Sequence, residues 1–215
     1  MDTFKPVVPF HTSMPGASEE SFDTTDGAKA VELAREAVES YVRDGKRMRT
    51  GSMRDAFYAR TGVFVRLQST RGRGSLRGCA GGYESDQHLG DAIVEAAIQA
   101  ASDDCCGSEV RPSELPNTRV SVCIVTNVLL TDDPLADIEL GRHGASVEQG
   151  ADAGWLYPMV PVENGWSAAE YLDRTCRTAG LAPTAWEDED SVVTLFEGRV
   201  FREESPGGTI LERTG

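Results

Sequence analysis

Apolar positions recur along the chain in two periods, and the switches between them mark out its elements. Ala30, Leu33, Ala34, Ala37, Val38 and Tyr41 fall at helical spacing, with Asp26 placed as an N-cap and Gly45 as the stop. Val63, Val65 and Leu67 then alternate as a strand, and a second strand is predicted over 75–82, running into a glycine loop. With Gly72 and Gly74 in the turn between them, the two strands read as a hairpin. Leu89, Ala92, Ile93, Ala96, Ala97 and Ala100 form the apolar stripe of a helix over about 89–102.

Residues 120–125 predict a buried strand, 131–143 mostly loop, and 144–149 with 153–159 another hairpin. Ser167 and Glu170 form a capping box that opens a helix reaching Ala179, with Gly180 as its terminator, and 192–201 closes the series as a strand. Hairpins and helices without regular β-α-β repetition predict an α+β fold with a mixed or antiparallel sheet. The expected organisation is a flexible extension over 1–24, containing Pro6, Pro9 and Pro15, one domain over 25–205, and a tail over 206–215.

Composition narrows the setting. The 215 residues suffice for one domain with a substantial core. No apolar run is long enough for a membrane helix, and the N-terminal residues lack the pattern of an export signal. Five cysteines, an odd number, fit reduced thiols and a cytoplasmic location better than a disulfide scaffold. The net charge is −14, and lysine occurs only at Lys5, Lys29 and Lys46. An acidic surface with few lysines suits a cytoplasm of high ionic strength, although a general bias toward arginine codons would leave the same trace. Against this background, residues 43–77 hold ten basic side chains and only Asp44 and Asp55 as acids. Such a window fits an anionic small molecule or RNA, or arginines paired with acids elsewhere on the surface.

The segment Leu76-Arg77-Gly78-Cys79-Ala80-Gly81 resembles the L-R-G-C-I-G signature of the AMMECR domain family. The likeness continues in order over roughly 26–203: Gly62-Val63-Phe64-Val65, Glu114-Leu115-Pro116, the Gly141-Arg142-His143-Gly144 turn, Asn164-Gly165-Trp166, and Cys176 through Leu181. Departures include Ala80 for isoleucine, Gly82 for a small hydroxyl residue, and changed segments at 105–110 and 157–161. The resemblance implies a two-lobed α+β domain with a cleft near the L-R-G-C segment. It implies no settled activity. Microbial members are often encoded beside a Memo-type protein, itself similar to iron-dependent dioxygenases, and a radical-SAM protein. It thus implies those pathway proteins as partners and an accessory role in a modification pathway; an RNA-related role has also been suggested for the family.

The candidate catalytic residues are Cys79 and His143, and the candidate ligand-binding residues are Arg77, Gly78 and Gly81. If strand pairing runs regularly through Gly78, Arg77 and Cys79 share a face, and a guanidinium beside a thiol favours the nucleophilic thiolate. The structural alternative makes Cys79 a small buried filler and Arg77 an ion-pair partner. His143, in a glycine turn, is placed to act as a general base or simply to bond backbone. Cys123 and Cys176 read as core residues, and Cys105-Cys106 as at most a redox pair. No metal-ligand spacing, P-loop, dinucleotide fingerprint or serine elbow occurs, so no metal and no cofactor is expected. Three functions stay open: an accessory component binding an anion at an Arg77–Cys79 cleft, an enzyme using Cys79 as a nucleophilic or redox thiolate, and an RNA-binding domain using residues 43–77.

Overall fold

In the computed structural model, which describes residues 22–71, 75–102 and 108–213, helix α1 (Thr24–Asp44) starts earlier than its apolar stripe. Its N-cap is Asp23, and Asp26 is the N3 member of a reciprocal capping box, a correction to the expected cap. Gly45 closes the helix in the left-handed conformation with φ of 65°. The expected extension over 1–24 lies outside the described residues up to 21. Phe22, at its end, is buried, with ring centroids 6.0 Å from both Phe57 and Phe201.

The strands are β1 (Val63–Ser69), β2 (Leu76–Gly82), β3 (Thr118–Thr131), β4 (His143–Gln149), β5 (Asp152–Leu156), β6 (Ser191–Glu203) and β7 (Ile210–Arg213). They form one sheet in the order β2-β1-β3-β6-β4-β5, with β7 on β6, and every pairing is antiparallel. The fold is the expected α+β. The stretch 206–215, expected as a tail, supplies β7 instead: Ile210 and Leu211 pair with Glu203 and Arg202. The turn containing Gly72 and Gly74 lies outside the described residues.

Helices cover one face of this sheet in two groups. Helices α1 and α2 (Leu89–Ser102) pack on Val63, Val65 and Leu67 of β1, Val120, Val122 and Ile124 of β3, and Phe201 of β6. Helix α5 (Ala168–Thr178) buries Tyr171, Leu172 and Cys176 on Ala145, Val147, Val193 and Leu195. The Tyr171 hydroxyl fastens it, donating to the Leu156 carbonyl at 2.8 Å and accepting from the Ala145 N–H at 3.1 Å. These are the two lobes, joined by a common sheet. A single turn, α3 (Pro134–Asp137), interrupts the expected loop, and a short helix, α4 (Met159–Asn164), follows β5 where the second hairpin was expected to extend.

The opposite face curls inward. Tyr83, just past β2, donates to Glu148 of β4 at 2.5 Å, although β1, β3 and β6 lie between those strands in the sheet order. The enclosed inner face holds Phe64, Cys123, Val125, Tyr157 and Phe196, with Cys79, Tyr83, Trp155 and Val160 packed around them.

Candidate functional site

The signature segment is bent by its neighbours. Gly78 faces α2, and a Cβ built there would fall on the Ala100 carbonyl oxygen, so the close approach of helix to strand requires glycine. Gly81 adopts φ of 133°, and a Cβ there would meet the Val63 backbone. Between Leu67/Gly78 and Gln68/Leu76 the register slips by one residue, leaving Arg77 as the extra residue of a β-bulge.

That bulge overturns the pairing expected of Arg77 and Cys79. The Arg77 Nε donates to Glu114 Oε1 at 2.7 Å, and its Nη atoms donate to the Ser108 and Glu109 carbonyls at 2.6 and 2.7 Å. Arg77 therefore ties the chain after α2 to the start of β3. The same contact, with a backbone bond from Arg111, holds the Glu114 carboxyl below the usual carboxylate range, against the opposing effect of burial. Cys79 turns to the inner face, where it packs on the aromatic cluster. The arginine directly across from it is Arg66 of β1. Directly opposed residues of an antiparallel pair have Cβ atoms about 4.5–5.5 Å apart. The arginine that shares a cross-strand position with the thiol thus comes from the other strand of the hairpin.

Arg66 lies 5.9 Å from the centre of the Tyr157 ring, and its only carboxylate contact among the described residues is Glu163 of α4 at 3.9 Å. The wall beside it is aromatic: Phe64 sits 4.2 Å from Trp155 and 4.9 Å from Phe196 between centroids. Burial, with Cys79 and Cys123 nearby, pushes the Tyr157 hydroxyl well above its ordinary value, and no partner meets that hydroxyl among the described residues. Burial and the bond to Glu148 push Tyr83 up to about 12. Burial alone pushes the Cys123 thiol up to about 12, and burial also raises Cys176, as fits core residues.

His143 does not join this group. It opens β4 on the helix-covered face, in line with Ala145 and Val147, while Cys79 occupies the inner face. Its Nδ1 accepts the Glu139 N–H at 3.0 Å, and its Nε2 stands 3.7 Å from Glu197. Its contacts fasten the glycine turn. The basic window is largely spoken for as well: Arg43 pairs with Glu39, Arg47 with Glu95, and Arg54 with Asp23 and Asp26. A shallow depression beside Gly81 and Gly82 is lined by Glu84, Glu95, Gln87 and Gln99, a poor setting for an anion. Cys105 and Cys106 lie outside the described residues. Among the described residues, no cluster of His, Cys, Asp and Glu is arranged to hold a metal ion, and no helix is long and apolar enough to cross a membrane.

The AMMECR1 family model matches residues 31–201, which takes in both helical lobes and all but the last strand. The chain belongs to the AMMECR1 family. A protein of Halobacterium salinarum is 64% identical over 185 residues, covering 83% of this chain and 88% of that one. A Methanopyrus kandleri protein is 38% identical over 200 residues, covering 90% and 96%. The crystal structure of an uncharacterized protein of Pyrococcus horikoshii superposes with a TM-score of 0.80 at 36% identity, covering 88% of this chain and 97% of that one. The AMMECR1 domain is thus established for both lobes, and the inner face is where its unexplained polar chemistry gathers.

Proposed function

We propose that this AMMECR1-family chain is an accessory component of a modification pathway, working in a cytoplasm of high ionic strength, and that it binds an anionic ligand on the inner face at Arg66 and Cys79. The observation that carries this reading is the cross-strand pair of Arg66 and Cys79, set against aromatic rings and answered by a single distant carboxylate. A half-buried guanidinium of that kind favours an anion as its counter-charge. The pathway assignment rests on the family resemblance, which couples such proteins to Memo-type and radical-SAM partners. Affinity capture from an archaeal extract at high KCl tests it. Recovery of a Memo-type or radical-SAM protein, lost on Arg66→Gln, is expected, and recovery of the chain alone overturns the pathway role.

The same pair favours a second reading, an enzyme with Cys79 as its nucleophile, because a neighbouring guanidinium favours thiolate. That reading predicts pH-dependent alkylation of Cys79 that is much faster than that of Cys123 and Cys176. Uniformly slow labelling removes it.

A further inference from the structure

Arg66 is one member of a larger array. Strand register sets Arg66 of β1, Ser121 of β3 and Arg202 of β6 in one cross-sheet row. Arg119 lies two residues from Ser121 on the same strand, and Arg213 of β7 lies opposite Val200, two residues from Arg202. All four arginines therefore project from the inner face. Rows across a sheet are spaced about 4.8 Å per strand, and same-face residues along a strand about 7 Å, well within the reach of arginine stems.

The charge in this array is nearly unopposed. Glu163 is the only carboxylate within ion-pair distance of any of the four among the described residues, and it stands 3.9 Å from Arg66. Among the described residues, the Nε atoms of Arg119 and Arg202 are buried without a hydrogen-bond partner, as is the Tyr157 hydroxyl on the same face. Burial and the like charges of Arg213 and Arg119 hold Arg202 below its ordinary value, while Glu163 acts in the opposite sense. Buried polar nitrogen is normally satisfied, and like charges converge only where something else offsets their repulsion. In a chain with 35 acidic side chains, carboxylates were abundantly available, yet among the described residues only one comes near.

A carboxylate ligand is satisfied by one guanidinium fork. A tetrahedral phosphate presents more acceptor oxygens and more charge, and it engages several forks together. We propose that Arg66, Arg119, Arg202 and Arg213 form a phosphate-binding subsite, which takes the phosphoryl end of a small phosphorylated ligand. The rest of the ligand would lie along the aromatic wall beside Cys79. This deepens the reading given above and rests on it for where the body of the ligand lies.

The test is a calorimetric titration of the full chain with pyrophosphate, at fixed high KCl, against a sulfate control. Wild type should bind pyrophosphate in preference to sulfate, and the double variant Arg119→Gln/Arg202→Gln should weaken it by about tenfold or more, the loss of charge-assisted forked bonds. Arg202→Lys keeps the charge but not the fork and should give a smaller loss, which guards against a folding defect in the double variant. Binding abolished by Arg66→Gln but untouched by Arg119→Gln/Arg202→Gln overturns the array and leaves the Arg66–Cys79 reading standing. Binding lost in the double variant but untouched by Arg66→Gln takes Arg66 out of the subsite and overturns both the four-arginine array and the Arg66–Cys79 reading. No preference for pyrophosphate over sulfate overturns the subsite. So does a short single-stranded RNA that binds far more tightly than pyrophosphate, because the surface would then be a nucleic-acid interface.

Discussion

The two faces of the sheet use arginine in opposite ways. On the helix-covered side Arg35 and Arg199 are matched: Arg35 donates to Glu203 from Nε at 2.5 Å and from Nη2 at 2.6 Å, and Arg199 donates from Nε to Glu212 at 2.7 Å. Glu203 also accepts the Val120 N–H at 2.9 Å, so one carboxylate joins α1, β3 and β6. On the inner side Arg119 and Arg202 leave Nε unmet, and Arg66 has one long contact. The same residue type is a fastener where a carboxylate folds against it and stays open where none does. The difference leaves buried polar nitrogen on the inner face without the partners that such groups normally have.

The sharpest test of this contrast is Glu203→Ala. It removes the buried carboxylate from Arg35, which keeps only Glu39 and the Thr118 carbonyl, and strands the Val120 N–H, so it should lower unfolding free energy by about 3 kcal/mol in urea titrations. A loss under 1 kcal/mol would mean that solvent reaches the pair, by the measure of about 1 kcal/mol or less for exposed pairs.

Next in size is Gly78→Ala, whose Cβ would fall on the Ala100 carbonyl and push α2 off the sheet. Overpacking of this kind costs about 1–3 kcal/mol and should be accompanied by a drop in thermal midpoint. An unchanged midpoint would show that α2 yields freely.

Arg77→Gln should be milder, about 1 kcal/mol once solvent screening of the partly exposed Glu114 is allowed for. Its signature is in the pH dependence. Glu114 has its folded-state value lowered from 4.5, so its contribution is full above 4.5 and is lost as pH falls through the lowered folded value. Wild type should therefore lose stability over that acid interval, and Arg77→Gln should lose less. Parallel curves would detach Arg77 from Glu114.

The smallest stability effect belongs to Arg202→Gln. Removing a charge crowded by Arg119 and Arg213 should leave the free protein unchanged or stabilise it by up to about 1 kcal/mol, as relief of like-charge opposition does in sheets. A marked loss of stability would make Arg202 a fastener after all and erase the distinction between the faces.

Local pattern carried most of the fold. The stripe at Leu89–Ala100, the capping box at Ser167 and Glu170, and the alternation of Val63, Val65 and Leu67 each depend on neighbours a few residues away, and each element formed near its expected bounds. Strand β7 was missed because Ile210–Arg213 is too short to show a period, and it exists only through pairing with β6.

The site was another matter. The alternation rule placed Arg77 and Cys79 on one face, but a single bulge residue, set by packing against α2 and the 108–114 segment, separated them and put Arg66 opposite the thiol. Arg119 and Arg202 stood outside the basic window, some eighty residues apart, and nothing local connects them to Arg66. The sequence by itself determined which residues turn, cap and alternate, since those are decisions of backbone sterics and short-range hydrogen bonding. Strand order, the bulge and the curl of the sheet were decided by tertiary packing, because which arginine meets a carboxylate and which stays open depends on strands brought together from distant parts of the chain.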